Sequence, residues 1–125
     1  MNVLHNTKLW LIIIAIGHLG PGTLMPYLSV GNDELAIIGL SAVLGVYLLY
    51  AAFMVEGQAQ ARLAAALCGP MVVWFVLAMA MDLQMYGDSV APLPMSILPF
   101  VLWGMPALSG VLGWNADDAT PAAEA

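Results

Sequence analysis

Positive charge is almost missing from this sequence. Lys8 and Arg62 stand alone against eight Asp and Glu, giving a formal net charge of −6 over 125 residues. Recognition of nucleic-acid phosphates needs clustered Lys or Arg, so a nucleic-acid partner is excluded. Charge of either sign is scarce too, at 8% of residues, where soluble domains carry about 25%. Cysteine occurs once, as Cys68, which rules out an internal disulfide and a CxxC redox pair. Beside Gly69-Pro70 in an apolar stretch, such a thiol acts as a small hydrophobe. No nucleophile–base pair, metalloprotease helix or phosphate-binding Gly loop is visible. The sequence therefore points away from an enzyme, and no cofactor is expected.

What is present is apolar. Hydrophobic residues make up 62% of the chain, and a hydrocarbon slab about 30 Å thick needs about 20 of them per helical crossing. Four apolar runs meet that length, at about 9–28, 35–55, 63–81 and 93–114. "SVGNDE", "EGQAQAR" and "DLQMYGDSVAP" separate them as polar or turn-like links. Barrel strands would be shorter and would alternate in polarity, so helices are expected. The fold class is all-α: a polytopic membrane four-helix bundle forming a single domain over 1–114. The segment "NADDATPAAEA", 115–125, reads as a mobile acidic C-terminal tail.

Four spans place Lys8 and Arg62 on one side of the bilayer. The positive-inside rule then puts both termini in the cytoplasm and Asp33, Glu34 and Asp88 outside, in a cell membrane of the bacterial inner-membrane kind. "LWLIIIAI" also suits the apolar region of a signal peptide, but no A-x-A-like cleavage site follows, so the run is read as a retained first helix.

That first helix contains a contradiction, "IAIGHLGPGTLMPYL". Nine helical steps from Leu9, about 13.5 Å, bring His18 near mid-depth. Polar side chains there face other helices or a cavity. Pro21 lacks an N–H and its ring presses on the carbonyl of Gly17; Pro26 does the same to Gly22. The helix is expected to kink or break just past His18, leaving carbonyls that need donors from neighbouring helices, water or a ligand. Unwound backbone beside a mid-depth polar group is a way transporters build binding sites. The competing reading is that Gly17, Gly20 and Gly22 admit close packing while His18 donates one hydrogen bond to a neighbour. The candidate ligand-binding or proton-linked set is therefore His18, Gly17, Gly20, Pro21, Gly22 and Tyr47, whose hydroxyl could reach a cavity.

Other constellations are weaker. Glu56 and Asp82 fall at helix ends on opposite sides of the membrane, and with His18 between them they form a conceivable proton relay. "MAMDLQM" places Met81 and Met85 at i and i+4 on one helical face, a soft Cu(I)-type pair, but methionine more commonly fills apolar space and no metal is expected. His5 and His18 would lie about 20 Å apart along one helix, too far to clamp a haem. Pro70 should press on Ala66, and Pro99 and Pro106 should free the carbonyls of Met95 and Leu102. Ser41/Gly45 and Ser109/Gly113 are small pairs suited to close helix packing.

With its Gly/Pro-interrupted first helix, short acidic turn "GNDE" and Gly-rich later helices, the chain resembles the small four-helix DoxX-like membrane proteins over about residues 8–114. That resemblance implies a redox-complex subunit or a lipophile binder, and it carries no functional residue across. Small multidrug resistance transporters hold a carboxylate in helix one, where this chain has His18. Dimeric fluoride channels have a Gly-rich, Arg-containing first helix that is not matched. The expected partners are the lipid bilayer and either further copies of the chain or a membrane complex. The expected role is binding a lipophilic small molecule or seating a partner subunit around His18, with a homodimeric proton-coupled transporter and a purely structural subunit as alternatives.

Overall fold

The computed structural model describes residues 2–116 except Tyr86. They form an all-α structure with one minute β hairpin. After a single 3-10 turn (Val3–His5), α1 runs Thr7–Leu19, a π-helical turn occupies Gly20–Leu24, and α2 continues over Met25–Val30. A 3-10 turn at Gly31–Glu34 leads into α3 (Leu35–Phe53). Then follow α4 (Gly57–Ala80), the two-residue strands β1 (Gln84–Met85) and β2 (Asp88–Ser89), and α5 (Ile97–Leu112). The tail expected to be mobile lies, from residue 117 onward, outside the described residues.

Local chemistry explains most of the boundaries. The Asn6 side chain accepts the N–H of Leu9 at 3.0 Å and caps α1. Gly31 turns the chain at φ +63°, a conformation other residues resist, and Gly57 does the same at φ +60° where α4 begins. α4 starts earlier than its apolar run, so "EGQAQAR" is largely helical rather than a link. The reason is Gln60, which is buried and donates its amide to the carbonyls of Ala51 and Ala52 at 2.9 and 3.1 Å. Those are orphan acceptors at the end of α3, and a helical residue from α4 satisfies them.

α5 starts later than expected. Pro92, Pro94 and Pro99 crowd its approach, and the Ser96 hydroxyl bonds back to the Pro92 carbonyl at 2.9 Å. Pro99 is the third residue of α5, where a missing N–H interrupts no helical bond. Met95 precedes the helix, so the expected freed carbonyl there does not arise. Pro106 and Pro70 do sit inside α5 and α4 without ending them.

α1 packs along α3 and α5, and α4 packs along α5; α3 and α4, consecutive in sequence, touch far less than α4 and α5 do. The core lies where the four long helices meet, around Leu11, Ile14, Leu48, Ala64, Cys68, Phe75 and Trp103. Small residues set the spacing. A Cβ on Gly110 would collide with the backbone of Ala61 and Ala65, so α5 and α4 cross there nearly backbone to backbone. One on Gly45 would collide with the side chain of Leu19. Thr7 and Ser109 share a buried hydroxyl–hydroxyl bond of 2.8 Å between α1 and α5.

Much of the remaining surface is apolar, with large side chains such as Leu28, Leu40, Val46 and Phe53 exposed. The stretches Thr7–Phe53 and Gly57–Ala80 are each long and apolar enough to cross a membrane. Only 28% and 22% of their most apolar windows are buried, unlike the core helices of a soluble protein.

Candidate functional site

His18 stands eleven residues after the start of α1 at Thr7 and twelve before the end of α2 at Val30, close to the middle of this interrupted rod. Immediately beyond it the helix changes register. Pro21 has no N–H for a four-residue bond to Gly17, and the chain widens into the π turn, whose carbonyls are served from five residues on. The Met25 N–H donating to the Gly20 carbonyl is one such bond. The extra residue of the turn rotates Thr23 inward, where it is buried.

Thr23 Oγ1 then donates to the backbone carbonyl of His18 at 2.9 Å. The same oxygen lies 2.9 Å from Ser41 Oγ of α3. His18 Nε2 closes the circuit, 2.9 Å from the Ser41 carbonyl and 3.1 Å from its hydroxyl. Trp103 of α5, only 3% exposed, meets the imidazole edge to face with ring centroids 5.2 Å apart. His18 is therefore held by three elements: its own π turn, α3 and α5.

Beside it opens a cavity of about 780 Å³, within the range of about 300–1,000 Å³ typical of small-molecule sites. Gly17, His18, Pro21 and Gly22 form its floor with Ile14; Leu40, Ser41, Val43 and Tyr47 come from α3. Met71, Trp74 and Phe75 of α4 form the facing wall, and Leu98, Leu102 and Trp103 of α5 close the back. Met85 and Val90 reach in from the hairpin region. Leu40, which borders the cavity from α3, is 70% exposed, so the cavity reaches the outer surface of the bundle there. His18, Ser41 and Tyr47 bring polar groups to a lining that is otherwise mostly hydrocarbon.

Of the sequence candidates, His18, Gly17, Pro21, Gly22 and Tyr47 all border this cavity. Gly20 does not, and a Cβ there would meet nothing within 4 Å. Glu56 and Asp82 do not border it either. They flank the two ends of α4, whose 24 residues span about 36 Å; Asp82, at φ +46°, accepts a hydrogen bond from Ser89 at 3.0 Å. The structure does not bring either carboxylate to His18. The Met81–Met85 helical pair is also absent, because α4 stops at Ala80 and Met85 belongs to β1. Met85 joins the cavity wall while Met81 is 68% exposed.

Thr23, Ser41 and Trp103 complete the site without having been singled out as its members. Their signal was present only as small or polar residues on three separate helices, and nothing local ties them together. At the far end of the molecule both cations stack on aromatic rings: Lys8 over Phe53 at 5.9 Å and Arg62 over Trp114 at 5.6 Å. Arg62 Nε also donates to the Trp114 carbonyl at 3.1 Å. In comparisons with protein-family models, curated proteins and solved structures, none matches this chain.

Proposed function

We propose that the chain is a four-helix polytopic membrane protein that binds a lipophilic small molecule in the cavity beside His18, admitted sideways from the bilayer between α3 and α4. The observation that carries this reading is the cavity itself: about 780 Å³, lined by Leu, Ile, Val, Met and aromatic side chains around a few polar groups. An apolar pocket with a small number of placed polar groups is the usual construction of a small-molecule site. Leu40, Val43 and Tyr47 border the cavity and are also exposed, a surface suited to acyl chains and not to water. A ligand dissolved in the membrane reaches it without crossing a polar layer. The low burial of two membrane-length helical stretches supports the bilayer setting. The pairing of Lys8 and Arg62 with rings at one end supports cytoplasmic termini.

Native mass spectrometry of the detergent-extracted full chain tests the reading. The expected result is a co-purifying small lipophile that is lost from a Leu40→Trp/Val43→Trp variant, which fills the open side, while the variant keeps its helical content and melting temperature. A protein that carries only detergent, or a bound species unchanged in that variant, contradicts it. A protein partner retained in place of the small molecule identifies the cavity as a docking seat and also contradicts it.

A further inference from the structure

The hydrogen bonds around His18 can be assigned proton by proton. Thr23 owns one hydroxyl proton and gives it to the His18 carbonyl, which has none to return. In the 2.9 Å contact between Thr23 and Ser41 the donor must therefore be Ser41. That spends the only proton Ser41 has. The two contacts of His18 Nε2, with the carbonyl and the hydroxyl oxygen of Ser41, then both require Nε2 to carry the hydrogen. A neutral imidazole protonated at Nε2 keeps its lone pair at Nδ1.

Nδ1 has no hydrogen-bond partner among the described residues, although every fully buried side-chain nitrogen and oxygen there has one. It is accessible, and a Cβ at Gly22 would stand 3.4 Å from it. Glycine at 22 is what leaves this nitrogen uncovered, and both residues border the cavity. A ring protonated at both nitrogens would aim an unpaired N–H and a full charge at a hydrocarbon lining, which the surroundings do not support.

We infer that the cavity selects an apolar molecule bearing a hydrogen-bond donor, such as a phenolic or alcoholic hydroxyl, which donates to His18 Nδ1 while its hydrocarbon body lies between α3 and α4. The Ser41 carbonyl, which can only accept, fixes this polarity from behind the ring, and the Thr23–Ser41 circuit agrees with it. The inference rests on the cavity being a small-molecule site, and adds to it the chemical class of the ligand. A site built to pair with a hydroxyl discriminates strongly against an analogue lacking the proton, because a buried polar atom is then left unpaired.

The test uses full-length 15N-histidine-labelled protein in lipid nanodiscs, with 4-hexylphenol and its methyl ether, 4-hexylanisole, as probes and His5→Gln for assignment. Free protein should show a pyridine-type Nδ1 and a pyrrole-type Nε2 at His18. 4-Hexylphenol should bind saturably and shift the Nδ1 resonance, with the ether at least about tenfold weaker. Thr23→Val removes the Thr23–Ser41 bond but leaves the Ser41 carbonyl as the acceptor of Nε2–H, so the tautomer and the preference for the phenol should both persist. A pyridine-type Nε2 in the free protein, or equal saturable binding of the two probes, overturns the donor assignment and leaves the cavity reading standing. Absence of saturable binding by either probe overturns the cavity reading and this inference with it.

Discussion

At the scale of single residues, stability is concentrated where helices approach most closely. Gly110 tolerates no side chain because the Ala61 carbonyl and Ala65 amide occupy that space, whereas a Cβ on Gly104, six residues earlier on α5, would meet nothing within 4 Å. Gly110→Ala should therefore destabilise the protein by about 1–3 kcal/mol through overpacking against backbone, and Gly104→Ala should stay within about 0.5 kcal/mol. Denaturant unfolding in detergent micelles compares the two. The sequence pairs Ser109 with Gly113, and both do face a neighbour: Ser109 bonds Thr7, and a Cβ on Gly113 would stand 2.9 Å from that of Ala61. The tighter crossing at Gly110 was not legible, because small-residue spacing marks a face without saying which residue on it meets backbone. His18 was legible for a different reason: a lone polar group in an apolar run has to be explained. Its partners were not, since Thr23 and Ser41 are ordinary helix residues until the fold brings them together.

At the scale of elements, proline placement gave the interruption of the first helix but not its form. The prolines predict a kink or break whose freed carbonyls need donors; the chain changes register there through the π turn, and the Thr23 hydroxyl donates to the His18 carbonyl. Replacing Pro21 with Ala restores an N–H that can bond Gly17 in the ordinary α register. The Pro21→Ala protein should show stronger amide protection across residues 17–25 in hydrogen exchange, and weaker binding of any ligand that depends on Gly22 leaving Nδ1 open. Unchanged protection would mean that the π turn is held by its tertiary contacts alone. The start of α4 teaches a related lesson. "EGQAQAR" is polar and so reads as a link, yet its Gln60 is buried because α3 ends in carbonyls that need donors. Gln60→Leu should cost about 1–3 kcal/mol by orphaning those carbonyls, measured in the same unfolding assay. The hairpin at Gln84–Ser89 carries no apolar alternation, and two residues per strand are too few for periodicity to register.

At the scale of the whole molecule, the distribution of contacts matters more than any one of them. α1 packs against α3 and α5, α4 packs against α5, and α3 and α4 touch each other little while both line the cavity. Apolar run lengths indicated the helices; which pair would fail to close depends on long-range packing that no local pattern encodes. The orientation proposed for the bilayer is directly measurable. In a Cys68→Ser background, a cysteine at Asn32 should react with an impermeant maleimide added outside intact cells, and one at Asn115 only after the cells are opened. The reverse pattern would invert the topology.

The proposed function requires a hydrophobic molecule to reach a defined position beside His18. Two of the four tryptophans, Trp74 and Trp103, border the cavity, so a Trp10→Phe/Trp114→Phe protein reports from the cavity alone. Titrated in nanodiscs with a brominated alkylphenol, its fluorescence should quench along a saturable curve, and the complementary protein keeping only Trp10 and Trp114 should quench weakly and without saturation. Equal, unsaturable quenching in both would show that the molecule merely dissolves in the surrounding lipid, and would contradict the account.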